Sequence, residues 1–244
     1  MFLRALFRSP SPETVHDDAA QPGRARWRPL RRVVIWGRWL ALRLLLLMAV
    51  QVGIYGLINP PTTLTMLAAA REHPQKPRDW VEIEKIAPVL RRSVVAAEDA
   101  NFCRHWGFDM TEIRKVIRSG SGRGASTISQ QTAKNVFLWQ GRSWPRKVLE
   151  TLYTPMIEAL WSKRRILEIY LNVAEFGPGI FGVGAAAREY FGTTPDRLTG
   201  VQAARLAAVL PAPLSRSPAR GSDRSRAIAD GAATIAQDGR ADCF

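Results

Sequence analysis

Cysteine and histidine are scarce in this chain, with two Cys and three His among 244 residues. Cys103 and Cys243 are too few and too far apart to form a disulfide framework or a zinc site, and three His leave no room for a His/Cys metal cluster. Whether the two cysteines pair with each other is open from sequence. Acids are also few, 21 against 35 basic residues, for a net charge of +14. A balance of this sign favours polyanions: nucleic acid, anionic lipid or a phosphate-bearing substrate. Internal repeats are missing, and no segment alternates apolar and polar residues as a half-buried strand would. With 46% hydrophobic residues, the chain can bury one sizeable core and a small lobe, while two full domains would be a tight fit.

The longest apolar run covers residues 33–58 and reads as one transmembrane helix, long enough at about 1.5 Å per residue for a core of about 30 Å. Arg38 and Arg43 lie in its first half and can snorkel to the nearer interface, and Trp36, Trp39 and Tyr55 suit the interfaces. Arg24, Arg26, Arg28, Arg31 and Arg32 precede the run, whereas the next 20 residues carry only Arg71, Lys76 and Arg78. The positive-inside rule then places the N-terminus in the cytoplasm and the residues after about 60 on the far side. A cleaved signal peptide is the alternative. The long basic lead and the distant Ala68-Ala69-Ala70 favour an uncleaved anchor.

Residues 1–32, with Pro10, Pro12, Pro22 and Pro29 among Arg and Ser, read as a disordered basic cytoplasmic tail. Residues 60–215 read as one helical domain and 216–244 as a Pro/Ser/Arg-rich C-terminal tail with one helix near 224–237. Within the domain, Leu90, Val94 and Ala97 mark one apolar helix face. Asp109 with Glu112, and Thr127 with Gln130, are capping-box patterns. Residues 120–124 form a glycine loop between them. Leu149, Leu152, Met156 and Leu160 keep helical spacing, with a kink expected at Pro155. Ile166, Ile169, Tyr170 and Val173 define the next helix. Gly177, Gly179, Gly182 and Gly184 mark turns, and Val201 to Leu210 is a helix closed by Pro211.

Four segments carry residues suited to chemistry. Glu98-Asp99 follows the apolar Val94 to Ala97. A carboxyl there could be desolvated toward acid/base use, but taken alone the segment reads more simply as a helix end with solvated acids. Around Ser126 and Thr127 a glycine loop feeds a helix N-terminus, with Gln130 and Lys134 on one face and Gln131 and Asn135 on the adjacent one. An anion site and an ordinary capped polar helix fit this pattern equally well. Arg146, Lys147 and Glu150 read either as a surface ion pair or as a phosphate clamp with a second carboxylate. The run from Lys163 to Gly177, with Tyr170 inside it, reads as a packing helix. Between the second and third segments, Phe137, Leu138, Trp139, Arg142 and Trp144 suit a membrane interface or a loop tucked onto the core.

Taken in order, these segments resemble the motifs of the peptidoglycan glycosyltransferase family, which includes monofunctional cell-wall transglycosylases and the glycosyltransferase half of class A penicillin-binding proteins. A fifth segment, Ala203 to Pro211, is similar as well. The resemblance covers residues 60–215 and leaves no room for a transpeptidase domain, so a monofunctional type is expected. It implies an all-α, lysozyme-like fold with a small membrane-facing lobe. It implies Glu98 as general base, Glu150 as a second active-site acid, and Lys134, Arg146 and Lys147 as holders of the donor pyrophosphate. Ser126, Thr127, Gln130, Gln131, Asn135 and Tyr170 would line the cleft. No cofactor is obligatory and no metal-ligand set is visible, although a divalent cation (Mg or Mn) at the donor pyrophosphate is compatible.

The expected activity is polymerisation of lipid II into β-1,4-linked glycan strands with release of undecaprenyl pyrophosphate, at the periplasmic face of a single-pass inner-membrane protein. The expected partners are lipid II, the growing lipid-linked strand and the membrane, with cell-wall synthesis or division proteins as further candidates and no nucleic acid. The alternative is a lysozyme-like lytic enzyme acting on finished peptidoglycan, which would have no use for a pyrophosphate-binding cation set. A nucleic-acid binder or a non-catalytic scaffold accounts for fewer of these residues.

Overall fold

The computed structural model describes residues 28–120 and 124–244. Most of the expected basic tail, and the middle of the 120–124 loop, therefore lie outside the described residues. Two compact units are distinguished, residues 1–45 and 46–244. The described part of the first is the opening half of α1 (Arg28–Leu57), where the Arg43 guanidinium lies 5.6 Å from the Trp39 ring centre. Among the described residues one stretch, Arg31–Leu57, is long and apolar enough to cross a membrane. Helical geometry begins five residues before the apolar run itself.

The second unit is all-α, apart from one small hairpin among the described residues. The last turns of α1 pack onto it. Met48 and Val52 are buried, the Tyr153 hydroxyl donates to Gln51 Oε1 at 2.6 Å, and Trp161 Nε1 donates to the Val52 carbonyl at 2.8 Å. A short helix α2 (Leu64–Ala69), capped by Thr63, leads to α3 (Pro88–Glu98). Proline opens α3 at a position where its missing N–H has no helical partner to lose. Leu90, Val94 and Val95 face the core.

Next come α4 (Met110–Ser119), α5 (Ile128–Phe137), α6 (Trp144–Leu160) and α7 (Lys163–Val173). Asp109 caps α4 through two backbone donors, those of Thr111 and Glu112. Glu112 pairs with Lys115 at 3.3 Å, so half of the expected capping box forms. At α5 the box is complete between Thr127 and Gln130. Helix α6 continues through Pro155. The buried face of α7 contains all four residues whose spacing predicted it, Ile166, Ile169, Tyr170 and Val173. Asn172 on that helix exchanges two 2.8 Å hydrogen bonds with the Val81 backbone, and this pins the segment before α3.

The glycine-rich stretch after α7 is not turns alone. β1 (Glu175–Gly177) pairs antiparallel with β2 (Ile180–Phe181), and strands this short carry no alternation to read. Helix α8 (Val183–Phe191) follows, then α9 (Gly200–Val209), which has its own Thr199/Gln202 capping box.

The last element corrects the expected boundary at 215. Helix α10 (Asp223–Gln237) packs against both α3 and α9 and buries Ile228, Ala232 and Ile235. Residues 216–244 are therefore part of this packed unit rather than a tail beside it. Beyond α10, Cys243 forms a disulfide with Cys103, and the Phe244 ring lies 6.2 Å from the buried Phe102 ring. The open question of cysteine pairing is settled by this bond. It closes a loop with a sequence separation of 140 residues, and a loop this long confers a large entropic constraint on the unfolded chain. Replacing Cys243 with Ser is expected to lower stability by about 2–4 kcal/mol. Chemical denaturation of the full chain in detergent, with and without reductant, checks this, because reductant should destabilise the parent and leave the variant unmoved.

Candidate active site

Glu98 is the last residue of α3, and its side chain is only 9% exposed. One oxygen is held: Gln131 Nε2, on α5, donates to Glu98 Oε2 at 2.9 Å. Gln131 is oriented in turn by Tyr170, whose hydroxyl donates to Gln131 Oε1 at 3.1 Å. The other oxygen, Glu98 Oε1, is buried and has no hydrogen-bond partner among the described residues. Burial pushes the Glu98 carboxyl above its ordinary value, while the Gln131 hydrogen bond and the charges of Arg224, Lys134 and Arg216 act in the opposite direction. Burial also raises Tyr170 well above the usual phenol value, with help from the Glu98 and Asp99 charges, and keeps it a neutral donor. The solvated helix end that the segment suggested by itself is not what forms.

The neighbouring Asp99 fixes α5 relative to α3. Its Oδ2 accepts from the Ile128 backbone N–H at 3.0 Å, and His105 Nε2 donates to the same carboxylate at 2.8 Å. A negative group at the first residue of α5 also suits the helix dipole. Thr127 adds a second anchor by donating to the Gly107 carbonyl at 2.6 Å. Gly107 has φ +84°, and a Cβ there would approach Thr154 to 2.7 Å, so glycine is required.

Thr127 and Gln130 are spent on this capping box and are buried. Thr127 nevertheless borders the same depression as Ser126 and Glu98, while the Oε1 of Gln130 is held by the Thr127 backbone N–H. Ser126 lines a depression of about 360 Å³ that also contains Glu98. Gln131, Lys134, Asn135 and Tyr170 line a second one of about 420 Å³, whose far wall is Leu210 to Ser215. Since Gln131 also donates to Glu98, the two depressions adjoin at that hydrogen bond.

Lys134 is partly buried, and that burial pulls its ammonium below the ordinary value. The carboxylates of Glu150 and Glu98 counter that effect, and Arg146 and Lys147 add to it. It therefore lies within electrostatic range of both acids. Arg146 Nη1 donates to Glu150 Oε2 at 2.7 Å, and Lys147 takes the other Glu150 oxygen. The Arg146 and Glu150 side chains are 10% and 4% exposed, so the i,i+4 spacing makes a buried pair rather than a surface one. With both oxygens engaged, Glu150 holds two cations in place. Lys147 is the more open of them, and together with Arg142 and Trp144 it borders a cavity of about 300 Å³. Among the described residues, no group of three or more His, Cys, Asp or Glu is placed to hold a metal ion.

Three residues near the site escaped the sequence reading. Glu175 borders the second depression, half-buried and with its carboxyl raised by that burial. Arg224 lies 3.6 Å from Glu98 Oε1, and Arg216 adds to the positive field there. The helical spacing of Ile228, Ala232 and Ile235 was the signal that could have brought α10 and its Arg224 to this place.

The transglycosylase family model matches residues 65–237, the whole of this helical unit from α2 to the end of α10. The chain belongs to the transglycosylase family. It is similar to proteins named biosynthetic peptidoglycan transglycosylase. One, from Jannaschia sp. (strain CCS1), is 57% identical over 202 residues, covering 81% of this chain and 84% of that protein. Another, from Xanthomonas campestris pv. campestris (strain B100), is 50% identical over 204 residues, 76% of this chain and 81% of its own length. A third, from Caulobacter vibrioides, is 45% identical over 202 residues, 80% of this chain and 88% of that protein. The family match extends through α10, in line with its packing on α3.

The direction of the Glu98 shift has a stability consequence for this transglycosylase. An acid whose folded-state value is raised favours folding while protonated, and that advantage is lost as pH rises through the folded-state value. Glu98→Gln should therefore melt above the parent at alkaline pH, with the gap closing as pH falls toward the ordinary glutamate range. Thermal denaturation across pH checks both the sign and the trend.

Proposed function

We propose that this protein polymerises peptidoglycan glycan strands from lipid II, with Glu98 as the general base. The carrying observation is a buried carboxylate with one oxygen held by Gln131 and the other without a hydrogen bond among the described residues, in electrostatic contact with Lys134 beside the Arg146–Lys147–Glu150 cluster. The names of the similar proteins supply the substrate class.

In this reading the 4-hydroxyl of a lipid II acceptor attacks C1 of the growing strand's terminal MurNAc. The hydroxyl proton passes to Glu98 Oε1 as the new C–O bond forms. The bond to the α-linked undecaprenyl pyrophosphate breaks with inversion, giving a β-1,4 linkage. An alcohol is a poor nucleophile near neutral pH, and a positioned base contributes about 10²–10⁴-fold. The pyrophosphate departs with its electron pair, so Lys134, Arg146 and Lys147 stabilise charge that grows in the transition state. Glu150 keeps the latter two pointed at that charge. Ser126, Asn135 and Tyr170 shape the groove.

The substrate's lipid stays in the bilayer, so the groove must open at a membrane surface. The apolar α1 serves as the anchor, with the N-terminus cytoplasmic and the helical unit periplasmic. On α6, Trp144, Val148 and Leu152 form an exposed apolar row at four-residue spacing that suits the interface. A disulfide persists in oxidising compartments, which supports the periplasmic placement.

The test is polymer formation from purified lipid II. The parent makes polymer, Glu98→Gln loses at least about 10²-fold, and Lys134→Ala loses about 10²–10³-fold in turnover. Near-normal polymer from Glu98→Gln would remove the base assignment, and digestion of finished wall without polymer formation would point to a lytic enzyme.

A further inference from the structure

Glu98 is surrounded by groups that set its charge, and one comes from a helix that the proposed chemistry does not use. The groups facing it are Gln131 and Lys134 from α5, Tyr170 from α7, its neighbour Asp99, Arg216 from the segment after α9, and Arg224 from α10. Gln131 is neutral and holds Oε2. Lys134 is shared with Glu150. Arg216 donates to the Ala208 carbonyl and acts on Glu98 only through its field. Arg224 is the cation placed at the unpartnered oxygen, 3.6 Å from Oε1, too far for a hydrogen bond but close enough to bias its charge.

The position of Arg224 is built in. The same Nη2 donates to the Ala97 carbonyl at 3.4 Å, one residue before Glu98. The Ser222/Ser225 capping box sets the start of α10 one turn around Arg224. Further along, Gly231 allows α10 to lie close to α3, since a Cβ there would come within 3.3 Å of Ala96. Past its end, the Cys103–Cys243 disulfide ties the chain back to the turn that follows Glu98.

We propose that Arg224 is a positioning residue for the general base, holding Glu98 ionised and its Oε1 directed toward the acceptor hydroxyl. This rests on the reading of Glu98 as base. Standing outside hydrogen-bond distance, Arg224 favours the carboxylate without occupying the oxygen that must take the proton. Its guanidinium is partly open to solvent, with 41% of the side chain exposed, so its effect is screened and moderate.

The experiment measures initial rates of polymerisation of lipid II by the full-length enzyme in detergent, from about pH 5 to about pH 9. Parent, Arg224→Gln, Arg224→Lys and Glu98→Gln are compared. Removing a cation that favours ionised Glu98 moves the acid limb of the profile to higher pH. Arg224→Gln should therefore be about two- to fivefold slower than the parent at the acid end and close to it at the alkaline plateau. Arg224→Lys should restore the limb. Added salt should move the parent's limb in the same direction and move that of Arg224→Gln less. If Arg224→Gln does not fold, the Lys variant and the salt arm decide. An unmoved acid limb, or a loss equal at every pH, would show that Arg224 only supports the fold and would overturn the proposal. Polymer from Glu98→Gln would instead show that the underlying base assignment is wrong.

Discussion

A carboxylate at the C-terminal end of a helix meets the negative end of the helix dipole, and burial removes the water that would otherwise stabilise it. Glu98 suffers both, as the last residue of α3 with a nearly inaccessible side chain. The structure offsets that cost with a neutral donor and several cations, the nearest at 3.6 Å, instead of a hydrogen-bonded ion pair. Gln131 takes one oxygen, while Lys134, Arg216 and Arg224 supply field. A tight Arg–carboxylate pair would have stabilised the acid better and left it useless as a proton acceptor. Glu150 illustrates the opposite solution. Its two oxygens are each bound directly by a cation, Arg146 on one and Lys147 on the other, so it organises those cations.

Much of the fold can be understood as what is needed to hold Glu98 opposite α5. The Asp99 carboxylate grips the first N–H of α5, and His105 steadies Asp99 from behind. Tyr170, on α7, fixes the amide of Gln131 so that its NH2 rather than its carbonyl meets Glu98. A reversed amide would put two acceptors together. On the far side, α10 closes over α3, and the disulfide closes the chain beyond it. The family match over residues 65–237 covers these helices and ends before Cys243.

The periodic and capped elements are legible in the sequence itself. The Thr127/Gln130 box, the α7 face and the limits of α9 follow from local chemistry within a few residues, and local chemistry is what a sequence displays directly. Burial is not local, which is why two readings changed. Arg146 and Glu150 have the spacing of an exposed helix pair, and only the packing of α6 shows that they are buried. The solvated end expected for Glu98 failed for the same reason, since α5 and α10 are distant in sequence. The C-terminal helix was half-visible. Its spacing suggested a helix near 224–237, but alanine-rich apolar positions among Arg and Ser gave no sign that it would join a core. The Cys103–Cys243 bond spans a separation of 140 residues, and no spacing rule reaches that far. The hairpin at Glu175–Phe181 is too short for its period to register.

The central claim is that Glu98 Oε1 is kept free for a sugar hydroxyl while the basic cluster near Lys134 receives a pyrophosphate. It is tested most directly by the structure of the full chain bound to a lipid II analogue that cannot react. The expected result is the acceptor 4-hydroxyl within hydrogen-bond distance of Glu98 Oε1, Gln131 still on Oε2, and the donor pyrophosphate against Lys134, Arg146 and Lys147. A pyrophosphate seated away from those three residues, or an acceptor hydroxyl out of reach of Glu98, would contradict it.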